Sequence, residues 1–209
     1  MNDDSGDLSI NSGDKIQLRK RLRSARRELS VAQQFEAADK LLLRLLGIDA
    51  FIQSNRIALY LANDGEIDPS KLIKWCAQNN RQCYLPVVRQ EAERNWLMFA
   101  EVTPSSQFKQ NRFGIQEPVV DQSLWIDARD LDLVLVPLVG FDELGNRIGM
   151  GGGFYDTTFE FLKLEKSPCK PRLIGVAHEI QKVEKINAES WDVPLTMVVT
   201  DQTIYQLGQ

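Results

Sequence analysis

Residues 145–159 read GNRIGMGGGFYDTTF, with glycine at 145, 149, 151, 152 and 153, one arginine, Arg147, and one carboxylate, Asp156. These types at this spacing suit anion binding. Glycine tolerates positive φ and lets backbone N–H groups approach an anion closely, and successive N–H groups can form a nest. Arg147 adds a full charge on a planar fork of donors. Asp156, in the first turn of a helix beginning near Phe154, is placed to reach a Mg²⁺ ion that bridges phosphates. The run is neither of the common phosphate loops. No G-K-[ST] closes it, and counting G-x-G-x-x-G from Gly149 and Gly151 puts Phe154 where the third glycine belongs. On residue types alone two readings stay open: a phosphate loop, or a long glycine turn with Asp156 as an ordinary carboxylate at a helix start.

Two further groups could do chemistry. Lys15 and Arg19, at i and i+4 of a helix, share a face and could meet one polyphosphate, or simply form a solvated basic face. Glu66, in NDGEIDP directly after a strand, could orient an amine or amide of a substrate, or belong to a plain surface loop.

The elements that must position these groups follow from pattern. Asp14 is a candidate cap for a helix over Lys15–Leu29, with Leu18, Leu22, Ala25 and Leu29 as one stripe and Lys15, Arg19, Arg23 and Arg26 on another face. Ser30 caps a second helix, Val31–Leu46, which Gly47 stops. RIALYLA at 56–62 reads as a buried strand, Pro69 opens a helix to Gln78, and QCYLPVV and NWLMFAEV read as strands that pair. Residues 104–130 look irregular. LDLVLVPLV at 131–139 is a Val-rich run of the kind buried on both faces of a parallel sheet, with Pro137 near its end. A turn, GFDELGN, leads to the glycine run, and a helix follows to about Leu164. RLIGVAH and Thr196–Thr200 supply the last strands. Strands alternating with helices predict an α/β fold with a mainly parallel sheet, and in such sheets ligands sit beyond the carboxyl ends of strands. We expect a disordered tail over residues 1–13 and a single domain over 14–209.

Composition bounds the rest. The chain has 209 residues, 43% hydrophobic and 26% charged, with a net charge of −4. That balance gives no general attraction to nucleic acid or to an anionic membrane, so any anion site is a local patch. Three cysteines, Cys76, Cys83 and Cys169, with no C-x-x-C pair and a single histidine, His178, argue against a disulfide framework or a zinc site, and with no G-x-S-x-G run the lone His178 makes no Ser-His triad and reads as structural. The N-terminus lacks the apolar core of a signal peptide, and no run is long enough to span a bilayer. The expected setting is the cytoplasm, and the expected state a monomer with small-molecule partners and neither nucleic acid nor membrane. A competing reading, an RNA-binding module built on KIQLRKRLRSARR, lacks interleaved aromatics.

Taken together, KIQLR, LANDGEID and GFDELGNRIGMGGGFYD, in that order, resemble the 5-formyltetrahydrofolate cyclo-ligase family, also called methenyltetrahydrofolate synthetase, over nearly the whole chain from Lys15 to Thr200. The resemblance implies a three-layer Rossmann-like α/β fold with a central, mostly parallel sheet and a basic N-terminal helix. It implies an ATP- and Mg²⁺-dependent conversion of 5-formyltetrahydrofolate to 5,10-methenyltetrahydrofolate, ADP and phosphate through a phosphorylated formyl oxygen. By that resemblance Lys15, Arg19 and Arg147 contact ATP phosphates, with Lys15 and Arg147 catalytic. Ile148, Gly149, Met150, Gly151, Gly152, Gly153, Phe154 and Tyr155 wrap the nucleotide, and those from Met150 to Phe154 also face the folate. Leu61, Glu66 and Phe113 contact the substrate, and Asp156 binds Mg²⁺. Two positions depart from the pattern. Gly152 stands where some relatives carry a lysine, and Thr196 stands where some carry a second acid, with Asp192 nearby. An ATP-using enzyme with another substrate is the competing reading within enzymes.

Overall fold

The computed structural model describes residues 12–92, 94–111, 114–164 and 170–207. The expected tail lies outside them up to residue 11, and Phe113 and Cys169 lie outside them as well. Helix α1 spans Ser12–Arg27, so Asp14 sits inside its first turn instead of capping it. Helix α2, Val31–Leu46, opens on a capping box: Ser30 Oγ accepts from the Gln33 N–H at 3.3 Å, and Gln33 Oε1 accepts from the Ser30 N–H at 2.9 Å. A single turn, α3 (Asp49–Ile52), leads into β1 (Arg56–Ala58), and α4 (Lys71–Gln78) leads into β2 (Gln82–Glu91) and β3 (Arg94–Val102). The remaining elements are β4 (Phe108–Gln110), β5 (Gln116–Pro118), β6 (Leu133–Pro137), β7 (Gly140–Phe141), β8 (Arg147–Ile148), α5 (Phe154–Phe159), β9 (Arg172–Val176), β10 (Met197–Val199) and β11 (Ile204–Gln206).

The central sheet has seven strands in the order β11-β10-β9-β6-β1-β2-β3. Strands β10, β9, β6, β1 and β2 run parallel, and β3 and β11 close the edges antiparallel. Strand β6 is central because it can be: Leu133, Val134, Leu135 and Val136 are all buried, and their side chains alternate between two cores. On one face Ile57, Leu133 and Leu135 pack with Leu41, Leu45, Phe51 and Leu72 from α2, α3 and α4. On the other, Val134 and Val136 pack with Phe99, Phe159, Phe161 and Leu173. Helix, sheet and helix make the three layers of the α/β fold that alternation predicted. Pro137 is the last residue of β6, where the ladder continues past it through the Leu138 N–H to Val176 O at 3.1 Å.

Several local expectations fail for identifiable reasons. The strand expected over 56–62 ends at Ala58, because beyond Leu59 the chain swings out into the 63–66 loop. Residues 104–130 hold a short hairpin, β4 with β5, and two 3₁₀ turns. GFDELGN is the tip of the β7–β8 hairpin, wound around the fully buried Asp142, whose carboxylate accepts from the N–H groups of Leu144, Asn146 and Ile186. The helix expected from Phe154 to Leu164 is α for six residues and 3₁₀ over Glu160–Lys163. Strand β11 is too short and too mixed in pattern to read from sequence. Among the described residues no helix is long and apolar enough to cross a membrane.

Candidate functional site

Strands β1 and β6 are neighbours, yet the chain leaves β1 toward β2 on one side and leaves β6 toward β9 on the other. That is the topological switch point of an open α/β sheet, where a crevice opens beyond the carboxyl ends of the strands. A cavity of about 820 Å³ lies there. Leu61 and Glu66 enter it from the end of β1, and Pro137 and Val139 from the end of β6. Arg147 and Ile148 come from β8, the glycines 149 and 151–153 and Met150 from the loop, and Phe154, Tyr155 and Asp156 from α5. Lys15 and Arg19 close it from α1. Every site residue expected from the sequence therefore lines one cavity, except Phe113, which lies outside the described residues. The distance in sequence is large, but α1 is carried to the glycine loop by Leu22, which packs with Val139, Ile148 and Ile186.

At one end of the cavity the cations are held by internal partners. Lys15 Nζ donates to Glu189 Oε1 at 2.5 Å and to Asn187 O at 3.0 Å. Arg19 Nε donates to Gly149 O at 2.9 Å. The Arg147 guanidinium pairs with the Asp156 carboxylate and donates to Val193 O, and the Val193 N–H donates to Asp156 Oδ1 at 3.3 Å. The loop around residues 187–193 is thus a wall of this end, which sequence reading missed apart from Asp192. Lys163, which also lines the cavity, donates to Ser190 O on the same loop. Gly153 opens α5 in the left-handed region at φ 68°. A Cβ at Gly152 would lie 2.8 Å from the Phe154 ring, so any side chain placed at this position would need that ring to move. Because α5 is short, its dipole adds little, and the charge on this end comes from side chains. Thr196, the other departure, is not at the cavity: its hydroxyl and N–H both donate to Leu173 O, at 2.9 and 2.8 Å, between strands. Asp192 is at the cavity, and its carboxylate accepts from the Glu189 N–H at 2.8 Å.

The other end carries more apolar side chains. Leu61, Leu85, Val88, Leu97 and Ile115 form its walls, with Tyr60 and Tyr155 near Glu66. Burial, with Arg26 and the Asn63 N–H pulling the other way, leaves the Glu66 carboxyl above the ordinary carboxylate range. Burial and the facing Glu66 push the Tyr155 hydroxyl well above its usual value, so it stays neutral, and Tyr60 does likewise while donating to Ile67 O at 2.6 Å. A buried carboxylate, Glu117 of β5, also lines this end and accepts from the Val88 N–H and from Asn111 Nδ2, both at 2.9 Å. It carried no motif signal in a single sequence. His178 is buried, and that burial lowers its basicity against the opposing pull of Asp201, which fits a neutral structural role.

The arrangement offers clustered cations and glycine N–H groups at one end, and an apolar slot with a fixed carboxylate at the other. The 5-formyltetrahydrofolate cyclo-ligase family model matches residues 11–201. The chain belongs to the 5-formyltetrahydrofolate cyclo-ligase family. It is therefore a ligase by family. It is 37% identical to a 5-formyltetrahydrofolate cyclo-ligase of Haemophilus influenzae over 186 residues, covering 89% of this chain and 97% of that protein. It is 36% identical to the protein of that name from Escherichia coli K12 over 185 residues, covering 88% and 99%. In structure it resembles the 5,10-methenyltetrahydrofolate synthetase of Aquifex aeolicus, with a TM-score of 0.75, 29% identity and 93% coverage of both chains. The α/β fold with a mostly parallel sheet that the alternating elements predicted is thus shared with this structural relative.

Proposed function

We propose that this protein uses ATP to cyclise 5-formyltetrahydrofolate to 5,10-methenyltetrahydrofolate, releasing ADP and phosphate. The observation that carries this reading is that three dispersed segments, α1, the loop after β1 and the glycine loop, meet in one cavity with cations at one end and a carboxylate in an apolar slot at the other. Lys15, Arg19 and Arg147 take the phosphates, helped by the N–H groups of residues 149–153, and Glu66 with Leu61 takes the pterin.

The formyl group on N5 is an amide and a poor electrophile. Transfer of the γ-phosphoryl group to its oxygen forms the new P–O bond as the bond to ADP breaks. N10 then attacks the formyl carbon, its proton passes to solvent, and the C–O bond breaks to release phosphate. Phosphoryl transfer needs positioning and charge stabilisation more than a protein nucleophile. The cations supply both, and the apolar walls keep water from the activated formyl group. The carboxylates Asp156 and Asp192 at this end are a donor set that suits Mg²⁺, which is usually held by one or two carboxylates together with substrate phosphates. Asp156 would hold it, with Asp192 on the same wall, and bound there it would offset phosphate charge. Asp156 must then exchange Arg147 for the metal while Arg147 turns to phosphate.

The test is absorbance of methenyltetrahydrofolate formed from 5-formyltetrahydrofolate by the purified protein, with and without ATP and Mg²⁺. Product only when both are present is expected. ATP hydrolysis without that product would instead favour another substrate for the same site.

A further inference from the structure

Arg26 is the largest side chain among those fully buried, yet its spacing with Arg19 and Arg23 reads as part of a solvated basic face. A buried guanidinium costs several kcal/mol of desolvation unless its donors are matched, and here they are. Nε donates to Asp64 O at 2.9 Å, Nη1 to Leu138 O at 3.1 Å, and Nη2 to Asp64 Oδ2 at 3.1 Å and Glu66 Oε1 at 3.5 Å. One planar fork thus ties α1 to the loop after β1 and to the end of β6, the places from which the two ends of the cavity are built. The loop is pressed onto the same helix from a second direction. Gln34 Nε2 bridges Arg26 O at 3.0 Å and Gly65 O at 3.2 Å, and Gly65, at φ 77°, sits where a Cβ would be 3.0 Å from Arg26 O.

We propose that Arg26 is the positioning residue of the substrate-binding carboxylate: it fixes Glu66 in orientation and in charge, and locks the acid loop to the helix that carries Lys15 and Arg19. The inference rests on Glu66 being the residue that binds the pterin. The groups around Glu66 are Arg26 and Arg23 from α1, Asp64 on its own loop, Tyr60 at the end of β1 and Tyr155 from α5. Arg23 is committed to Asp64 at 2.6 Å, which leaves Arg26 as the cation in contact with the Glu66 carboxylate among the described residues. A lysine could match the charge but not the fork that spans three segments.

Steady-state kinetics of the full chain, with ATP and folate varied separately across pH, test this. Arg26→Gln should raise KM for 5-formyltetrahydrofolate at least tenfold and KM for ATP less than twofold. Its acidic limb for folate use should move to higher pH, because Glu66 loses the cation that favours its charged form. Arg26→Lys should restore part of the charge effect. The double variant Arg26→Gln, Glu66→Gln should have the folate KM of Glu66→Gln alone, since a residue acting through another adds nothing once that other is gone. If Arg26→Gln does not fold, Gly65→Ala, which pushes the loop from the helix with every charge retained, should raise the folate KM by itself. A folate KM within twofold of the parent in the folded Arg26→Gln, or in Gly65→Ala where that stands in, overturns the proposal, and so do additive effects in the double variant. If Glu66→Gln leaves the folate KM unchanged, the Glu66 reading itself falls, and the role of Arg26 with it.

Discussion

The two ends of the cavity are held in opposite ways. At the cation end each charged group rests on a partner that a ligand can displace: Lys15 on Glu189, Arg19 on a loop carbonyl, Arg147 on Asp156. Glu189 is 41% exposed and Asp156 28%, so in the proposed reaction both partners turn into water as phosphate takes their place. At the acid end Glu66 is held by the Asn63 N–H and by an arginine with no exposure at all, itself bonded to the acid loop and to the end of β6. On the proposed function, the difference teaches how one cavity would serve two substrates. Polyphosphate is flexible and brings its own charge, so the site would keep its cations neutralised until it arrives. A rigid heterocycle needs a preformed partner in a fixed place, because ordering that partner on binding would cost affinity.

The sharpest way to break the comparison is at Arg147. Its side chain is 8% exposed and lies between Asp156 and the backbone of Val193. In phosphoryl transfer an arginine that meets developing charge is worth about 10³-fold or more in turnover. Arg147→Ala should lower kcat by about that factor while the far-ultraviolet circular dichroism spectrum is retained. Near-normal ATP-dependent formation of methenyltetrahydrofolate would remove the phosphate reading of the whole cation end.

Glu66→Gln tests the other end. Losing a hydrogen bond to a charged group costs about 1.5–3 kcal/mol, so the folate KM should rise roughly tenfold to a hundredfold with the ATP KM little changed. In the parent protein the same carboxylate should set a pH dependence. Burial raises its folded-state value above the ordinary carboxylate range, so on the proposed function folate binding is held at higher pH and is lost as pH falls through that raised value. The Gln variant should lack that acidic limb, and an unchanged limb would assign it to another group.

How much of this was legible beforehand differs between the two ends for a physical reason. At the cation end the glycine loop announces itself locally, though a plain glycine turn stays open on residue types alone: five glycines and an arginine within nine residues, at the end of a Val-rich strand, are an unusual demand on a backbone. The fold was legible for a similar reason, since β6 must be buried on both faces. The acid end is made of long-range contacts that no local pattern encodes. Arg26 lies 38 residues from Asp64 and 112 from Leu138, and by helical periodicity alone it is one more surface cation. Glu117 and the 187–193 loop were missed on the same ground, because each acquires its place only through the packing of distant strands.

Asp156→Asn should have a smaller, more specific effect. The amide still accepts from the Val193 N–H but no longer neutralises Arg147 or offers a full charge to a cation. The concentration of Mg²⁺ that gives half-maximal rate should rise severalfold. An unchanged Mg²⁺ titration would mean that the Asp156 carboxylate serves only to hold Arg147.

The smallest effect expected is also the one that most directly tests displaceability. On the proposed function Glu189 would compete with phosphate for Lys15, from a loop that is partly exposed, and such exposed or half-exposed pairs contribute about 0.2–1 kcal/mol. Glu189→Gln should therefore free Lys15 and lower the KM for ATP by roughly twofold to fivefold, with no change in the folate KM. Raised salt should narrow the gap between variant and parent, because screening weakens the internal pair that the parent must break. A higher ATP KM in Glu189→Gln would show the opposite arrangement, with Glu189 holding Lys15 in the geometry that phosphate requires. The cation end would then be as preformed as the acid end, and the contrast between them would disappear.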